Sequence, residues 1–189
     1  MNKLIAALMG LAAAAPALAQ LKPPPVPEKL FYMETSISTV KYAEPGLTLG
    51  PTALRVMLGK KTSATFGYEG MLGFSVRNAE NTYVNTAGIS SSLAGEVNNL
   101  YGVYIKARRN LGKELEIFSK VGMASGERTL SAYPAGLTAA DNKFLSFSYG
   151  LGAKAAVEKD MSVVFDYMSY YKKGLTSVDA FALGLALDF

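Results

Sequence analysis

The carboxyl end of the chain runs Phe181-Ala182-Leu183-Gly184-Leu185-Ala186-Leu187-Asp188-Phe189, and its alternation decides the fold. Phe181, Leu183, Leu185, Leu187 and Phe189 share one face of an extended strand, whereas Ala182, Gly184, Ala186 and Asp188 share the other. One face is bulky and apolar. The other is small, with a single ion.

The same two-faced pattern recurs towards the amino end. Val163, Phe165 and Tyr167 alternate with Val164, Asp166 and Met168, and Phe147, Tyr149 and Leu151 alternate with Ser148, Gly150, Gly152 and Lys154. Leu115, Ile117, Val121 and Met123 oppose Glu116, Lys120 and Gly122, and Tyr101, Val103 and Ile105 oppose Gly102, Tyr104 and Lys106. Further forward, Phe66, Tyr68, Leu72 and Phe74 oppose Gly67, Glu69, Met71 and Gly73, while Leu54, Val56 and Leu58 oppose Ala53, Arg55, Met57 and Gly59. Phe31, Met33 and Ile37, opposed by Tyr32, Glu34, Ser36 and Ser38, complete a set of eight strands; Thr35, Gly70 and Ser119 are the weaker members of the apolar faces. Helical spacing is not sustained anywhere beyond the amino-terminal segment.

The connectors fall into two kinds. Lys60–Ser63, Asn110–Lys113 and Glu158–Asp160 are tight and polar, whereas 75–97 and 125–143 are long and rich in Gly, Ser, Asn and Thr, with shorter connectors at 43–50 and 172–176. Short and long connectors alternate strictly, as in transmembrane barrels with short periplasmic turns and longer outer loops. The prediction is an all-β chain folded as an eight-stranded antiparallel up-and-down transmembrane β-barrel over residues 30–189.

A soluble β-barrel would also alternate, but it would turn its polar face to water. Here the ions lie on the face made mostly of Gly, Ala and Ser, which suits a narrow interior. A Lys or Arg facing lipid at mid-membrane costs about 2–4 kcal/mol, and a one-residue slip would turn Arg55, Lys106, Lys120 and Lys154 outward together. The predicted interior ions are therefore Glu34, Glu69, Glu116 and Asp166 against Arg55, Lys106, Lys120 and Lys154, all near the tight-turn end. Adjacent-strand proximity predicts that Glu34, Arg55 and Glu69 meet, that Lys106 meets Glu116, and that Lys154 meets Asp166. The set has two readings, a selective polar pathway or an ion-pair plug, and an eight-stranded interior that side chains can fill favours the plug.

Met57, Met71, Phe118, Val164 and Met168 are inward positions that either line a slot for a small solute or fill gaps. Phe31, Phe66, Tyr101, Phe147, Tyr149, Phe165, Tyr167, Phe181 and Phe189 fall outward, where aromatic girdles form at membrane interfaces. Tyr167, Tyr170 and Tyr171 read as part of that girdle rather than as a ligand-stacking cluster.

At the amino end, Lys3, an uncharged stretch from Leu4 to Leu18 and Ala17-Leu18-Ala19 read as a signal peptide over residues 1–19. The alternative is a retained membrane helix, which Pro16 interrupts and which falls short of the roughly 20 residues a span requires. Residues 20–29, with Pro23, Pro24, Pro25 and Pro27, read as an extended proline-rich arm leading into the first strand. A spacer is preferred to a protein-binding motif.

Composition removes whole classes of function. The 189 residues are 50% hydrophobic and 18% charged, with no Cys, His or Trp and a net charge of +4. Disulfides, Cys/His metal sites and imidazole catalysis are excluded, and no Lys/Arg block points to nucleic acid. The sequence calls for no cofactor and no metal.

With eight strands, asymmetric connectors and a terminal aromatic residue, the chain resembles the small outer-membrane β-barrel family that includes the OmpA-type membrane domain and OmpX-like, porin-like proteins. The resemblance covers about residues 30–189. The end Gly184-Leu185-Ala186-Leu187-Asp188-Phe189 is similar to the family's assembly signal, which implies that Gly184, Leu187 and Phe189 are read by the barrel-assembly machinery during insertion. Leu183 departs from the polar residue that often precedes the Gly. Because the chain ends at its last strand, no peptidoglycan-binding domain is expected to follow. The resemblance implies a bacterial outer-membrane location after export through the periplasm, in contact with outer-membrane lipid and lipopolysaccharide, and a monomer is expected.

Barrel enzymes of this kind resemble one another in using a histidine, which this chain lacks. The expected function is therefore a non-enzymatic barrel with an ion-paired, plugged interior, serving membrane integrity or surface interaction through loops 75–97 and 125–143. The alternative is a narrow pore for ions or small solutes.

Overall fold

The computed structural model describes residues 29–44, 47–84, 90–133 and 142–189. The predicted signal peptide at 1–19, most of the predicted arm at 20–29 and the centres of the two long connectors lie outside the described residues.

Ten strand segments follow one another: β1 (Phe31–Glu44), β2 (Leu47–Leu49), β3 (Thr52–Lys61), β4 (Phe66–Arg77), β5 (Ala79–Val84), β6 (Ser90–Leu111), β7 (Leu115–Tyr133), β8 (Asn142–Ala156), β9 (Met161–Lys173) and β10 (Thr176–Asp188). Both β2 and β3 pair with β1, from Glu44↔Leu47 and Tyr42↔Leu49 on to Thr39↔Thr52, so Gly50 and Pro51 interrupt a single stave. In the same way β5 continues β4 along β6 after a break at Asn78. The segments therefore make eight staves, and β1 pairs with β10 from Tyr32↔Asp188 to Ala43↔Ser177 to close the barrel. Closure leaves no sheet edge, the condition for β-structure in a membrane.

The tight turns appear at Thr62–Thr65, Gly112–Glu114 and Val157–Asp160, at the end of the barrel that also holds Phe31 and Phe189. Gly112 takes φ of 85°, a left-handed conformation that a side chain would resist. Outward positions between the two rims carry no charge among the described residues: β10 presents Phe181, Leu183, Leu185, Leu187 and Phe189, and β8 presents Leu145, Phe147, Tyr149 and Leu151. The first outward charges above this belt include Lys41, Arg77, Asp179, Glu127 and Lys143. The belt spans about 9 to 11 residues per strand, the length that crosses a bilayer at the usual barrel tilt.

The long connectors are not loops throughout. Strand pairing runs on through much of 75–97 and 125–143, with Ala79↔Gly95 to Val84↔Ser90 and Ser92↔Tyr133 to Asn98↔Glu127. Apolar alternation ends at the edge of the membrane, and reading strands by that signal stops them there. Above it, backbone ladders between neighbouring strands need no apolar face, and Ser, Thr and Tyr suit a solvated sheet.

Candidate functional site

The interior divides into two layers. Near the tight turns, Glu34, Arg55, Glu69, Lys106, Lys120 and Asp166 are all no more than 3% exposed. Each occupies an inward position, and the residues opposite them on neighbouring strands are mostly small or unbranched. Arg55 faces Ser36 and Gly73, Glu34 faces Ala186 and Met57, and Asp166 faces Gly152 and Ala182. Small neighbours leave room for long charged side chains to reach across the lumen rather than sideways.

Lys120 lies at the centre. Its Nζ is 2.9 Å from Glu69 Oε2, 3.2 Å from Glu34 Oε2 and 3.7 Å from Asp166 Oδ2, which joins β7 to β4, β1 and β9. Lys106 Nζ sits 3.1 Å from Glu34 Oε1, 3.3 Å from Glu69 Oε1 and 3.6 Å from Glu116 Oε1. Lys106 and Lys120 face each other in register on β6 and β7, an arrangement that shared carboxylates make tolerable. Arg55 crosses from β3 to β9, with Nη2 2.7 Å from Asp166 Oδ2, and donates to Tyr170 Oη at 3.2 Å and Ser36 Oγ at 3.1 Å. Tyr32 donates to Glu69 Oε1 at 2.5 Å. The Phe118 ring carries Lys106 Nζ 4.1 Å and Lys120 Nζ 4.8 Å from its centroid.

Two predicted pairings are corrected. Arg55 takes Asp166 as its ion-pair partner, not Glu34 or Glu69, and Lys154 takes Asp188, at 3.0 Å, not Asp166. Asp166 lies higher in the lumen than Lys154, within reach of the long Arg55 side chain from the far wall. Lys154 and Asp188 are the inward ions nearest the mouth on β8 and β10. The predicted contact of Lys106 with Glu116 is present.

Asp188 also holds Lys61 at 2.9 Å, so the penultimate residue ties β10 to β3 and β8. Sequence reasoning placed Asp188 inward by alternation but left it out of the ion set, as it did Tyr32. Arg108, also inward by parity, donates to the turn carbonyls of Ser63 and Ala64.

Of the resembling assembly signal, Leu187 and Phe189 point outward, and Phe189 stacks on Phe31 across the seam with centroids 6.4 Å apart. A Cβ at Gly184 would collide with the Thr35 carbonyl and Ser36 of β1, so the seam closes tightly only around a glycine there.

Above the ions lies an apolar layer. Val40, Tyr42, Leu49, Val97, Leu100, Tyr104, Phe144, Met168 and Val178 are buried together in a cluster that reaches down through Met71 to Met57, whose Sδ lies 3.2 Å from Lys120 Nζ among the ions, and Tyr171 packs against the cluster with its ring 5.2 Å from Phe144. Phe118, Val164 and Ala186 form a second, smaller cluster. Tyr170 and Tyr171 thus turn into the lumen, contrary to their expected place in the girdle. Tyr170 keeps the inward parity of Val164, Asp166 and Met168, and a register shift at Val178/Asp179 in the β9–β10 pairing brings Tyr171 inward beside it. Tyr167 remains at the barrel's outer face, its hydroxyl 3.0 Å from Asp179 Oδ1.

Such a closed eight-stave barrel, with an uncharged belt and a charged lumen, defines a class of outer-membrane protein. Residues 4–189 match the model of the outer membrane protein beta-barrel domain, and the chain belongs to that family. Its fold is similar to that of Ail, the attachment invasion locus protein of Yersinia pestis, in complex with the heparin analogue sucrose octasulfate (TM-score 0.60, 14% identity, covering 86% of this chain and 100% of that one). It is also similar to Neisserial surface protein A (TM-score 0.60, 10% identity, 84% and 97% covered) and to the N-terminal β-barrel domain of OprF from Pseudomonas aeruginosa (TM-score 0.53, 13% identity, 84% and 97% covered). No curated protein sequence matches the chain.

Proposed function

We propose that this outer-membrane barrel is a non-enzymatic scaffold whose lumen is closed by its ionic and apolar layers, and that it acts in membrane integrity or in surface interaction through 75–97 and 125–143. The observation that carries the reading is Lys120, with no exposure and three carboxylates within 3.7 Å. Each acid around it is held by a cation, which leaves no carboxylate poised as a general base. A rigid barrel extended by paired strands beyond the membrane is a suitable platform for surface contacts. Ail, a barrel of similar fold, is described by attachment and invasion, a role of the kind that this reading assigns. Within the same reading the chain works as a monomer, is delivered by a signal peptide at 1–19, and is inserted by assembly machinery that reads Gly184, Leu187 and Phe189.

A narrow pore is the second reading. Asp166 Oδ1 is buried with no hydrogen-bond donor among the described residues, the kind of atom that a lumenal water satisfies. Planar-bilayer recording of the refolded protein separates the two. The scaffold predicts no conductance in the wild type, in Glu69→Ala or in Lys154→Ala, and steady ion-selective steps in the wild type would overturn it. A shift in gel mobility between heated and unheated protein establishes that the refolded barrel is intact.

A further inference from the structure

The seam where the first stave meets the last is a backbone ladder from Tyr32↔Asp188 to Ala43↔Ser177. Its inward side chains are short, with Ser36 and Ser38 opposite Gly184 and Ala182, so little side-chain packing holds the two strands together. Ion pairs cross it instead. Lys29 Nζ is 2.6 Å from Asp160 Oδ1, Lys61 Nζ is 2.9 Å from Asp188 Oδ1, and Arg55 Nη2 is 2.7 Å from Asp166 Oδ2. These pairs join the first hairpin, β1 and β3 with Lys29 entering it, to the last, β9 and β10 with Asp160 entering it.

Two features set these pairs apart. In each, the first hairpin supplies the cation and the last hairpin the acid, so the two ends of the barrel's strand order are complementary in charge. They are also graded by depth: Lys29 and Asp160 are exposed at the tight-turn rim, Lys61 and Asp188 are mostly buried at the mouth, and Arg55 and Asp166 are buried in the lumen. Lys29 also donates to the Asp188 carbonyl at 3.2 Å, and beside it Phe31 and Phe189 exchange backbone hydrogen bonds of 3.0 and 2.8 Å. The outer end of the seam has no such ion pair among the described residues. There Lys41 stands opposite Asp179, whose carboxylate accepts instead from Tyr167 of its own hairpin.

We propose that these pairs form an ionic clasp, made last, by which the first hairpin captures the last when the barrel closes and which sets how long it then stays closed. The clasp goes beyond the proposed scaffold role and is independent of whether the lumen conducts. Contacts between the first and last hairpins enclose the longest loop, so they form after the local hairpins. Parting the seam within the hydrocarbon belt would strand backbone N–H and C=O groups in lipid, so the seam parts from an end that water reaches. The clasp sits at such an end. Asp188 supplies an internal control, because the same carboxylate binds Lys154 of β8 at 3.0 Å, a contact made among the last strands and present before closure.

The test follows the full chain folding into, and unfolding from, phosphatidylcholine vesicles in urea, read by the gel mobility of unheated samples. Lys61→Met is expected to speed unfolding about tenfold while folding stays within about twofold, because a contact absent from the transition state acts on unfolding alone. Lys154→Met should instead slow folding. Unchanged unfolding in Lys61→Met, or the same pattern of rates in Lys61→Met and Lys154→Met, overturns the clasp. Should Lys61→Met fail to fold, a cross-link decides. The chain has no cysteine, so Lys29→Cys combined with Asp160→Cys gives one defined site that a bis-maleimide can join after folding. The joined barrel should unfold about tenfold more slowly than the unjoined one, and equal rates would place the opening away from this seam and overturn the clasp.

Discussion

The two halves of the lumen use the same inward positions of the same strands, yet one is filled with ions and the other with hydrocarbon. In the lower half Arg55, Lys106 and Lys120 are held by Glu34, Glu69 and Asp166, in most cases across the lumen from strands that are not neighbours. In the upper half Val40, Leu100, Phe144, Met168 and Val178 simply touch. The difference is one of direction. An ion pair ties one particular wall to another and fails as a unit, because the remaining charges stay buried without compensation. Apolar packing ties no particular pair, and its failure is local and scales with the volume lost.

The comparison is broken most severely at its centre. Lys120→Met leaves three carboxylates sharing too few cations, and a loss of about 3–5 kcal/mol is expected, read by urea unfolding of the barrel in micelles through its gel mobility. A loss below about 1 kcal/mol would mean that water already screens these charges. In the apolar layer Met168→Ala should cost about 2–5 kcal/mol, whereas Met168→Leu, which keeps the volume, should cost less than about 1.5 kcal/mol. If both cost the same in that titration, the layer is not close-packed.

A sharper contrast comes from removing a pair entirely. Arg55→Met combined with Asp166→Leu is expected to lie within about 1 kcal/mol of the wild type, while either single change costs about 3 kcal/mol or more. A double variant no better than the worse single one would show that Tyr170 and Ser36, which also bind Arg55, carry the coupling. The smallest effect lies outside the membrane. Hydrogen bonds from Lys143 and then Asn99 hold the Glu127 carboxyl below its usual value. The pair therefore contributes fully at neutral pH and is lost as acid titrates Glu127 through its lowered value. A carboxyl titration by NMR in Lys143→Gln should move the midpoint upward, and an unmoved midpoint would mean that the pair is screened by solvent.

Legibility in the sequence followed range. Alternation along Phe181–Phe189 or Leu54–Gly59 is a property of residues two apart, so it assigned every ion of the lower layer to the inward face before any contact was known. Asp188, Tyr32 and Arg108 carried the same parity and were legible in principle. Tyr170 carried it too, continuing Val164, Asp166 and Met168, whereas Tyr171 was not legible, since a register shift at Val178/Asp179 brings it inward and leaves no mark in the pattern. Nor were the strand extensions through 90–100 and 125–133, which are held by backbone pairing after the apolar signal has ended.

The sequence by itself thus determined the barrel, its strand faces and its place in a membrane, because each charged residue had one face on which it was affordable. Only the tertiary structure decided that Arg55 reaches Asp166 and that Lys154 reaches Asp188. Those partners lie on strands far apart in the chain, and the diameter and stagger of the closed barrel bring them within reach. Neither quantity is written in any single strand.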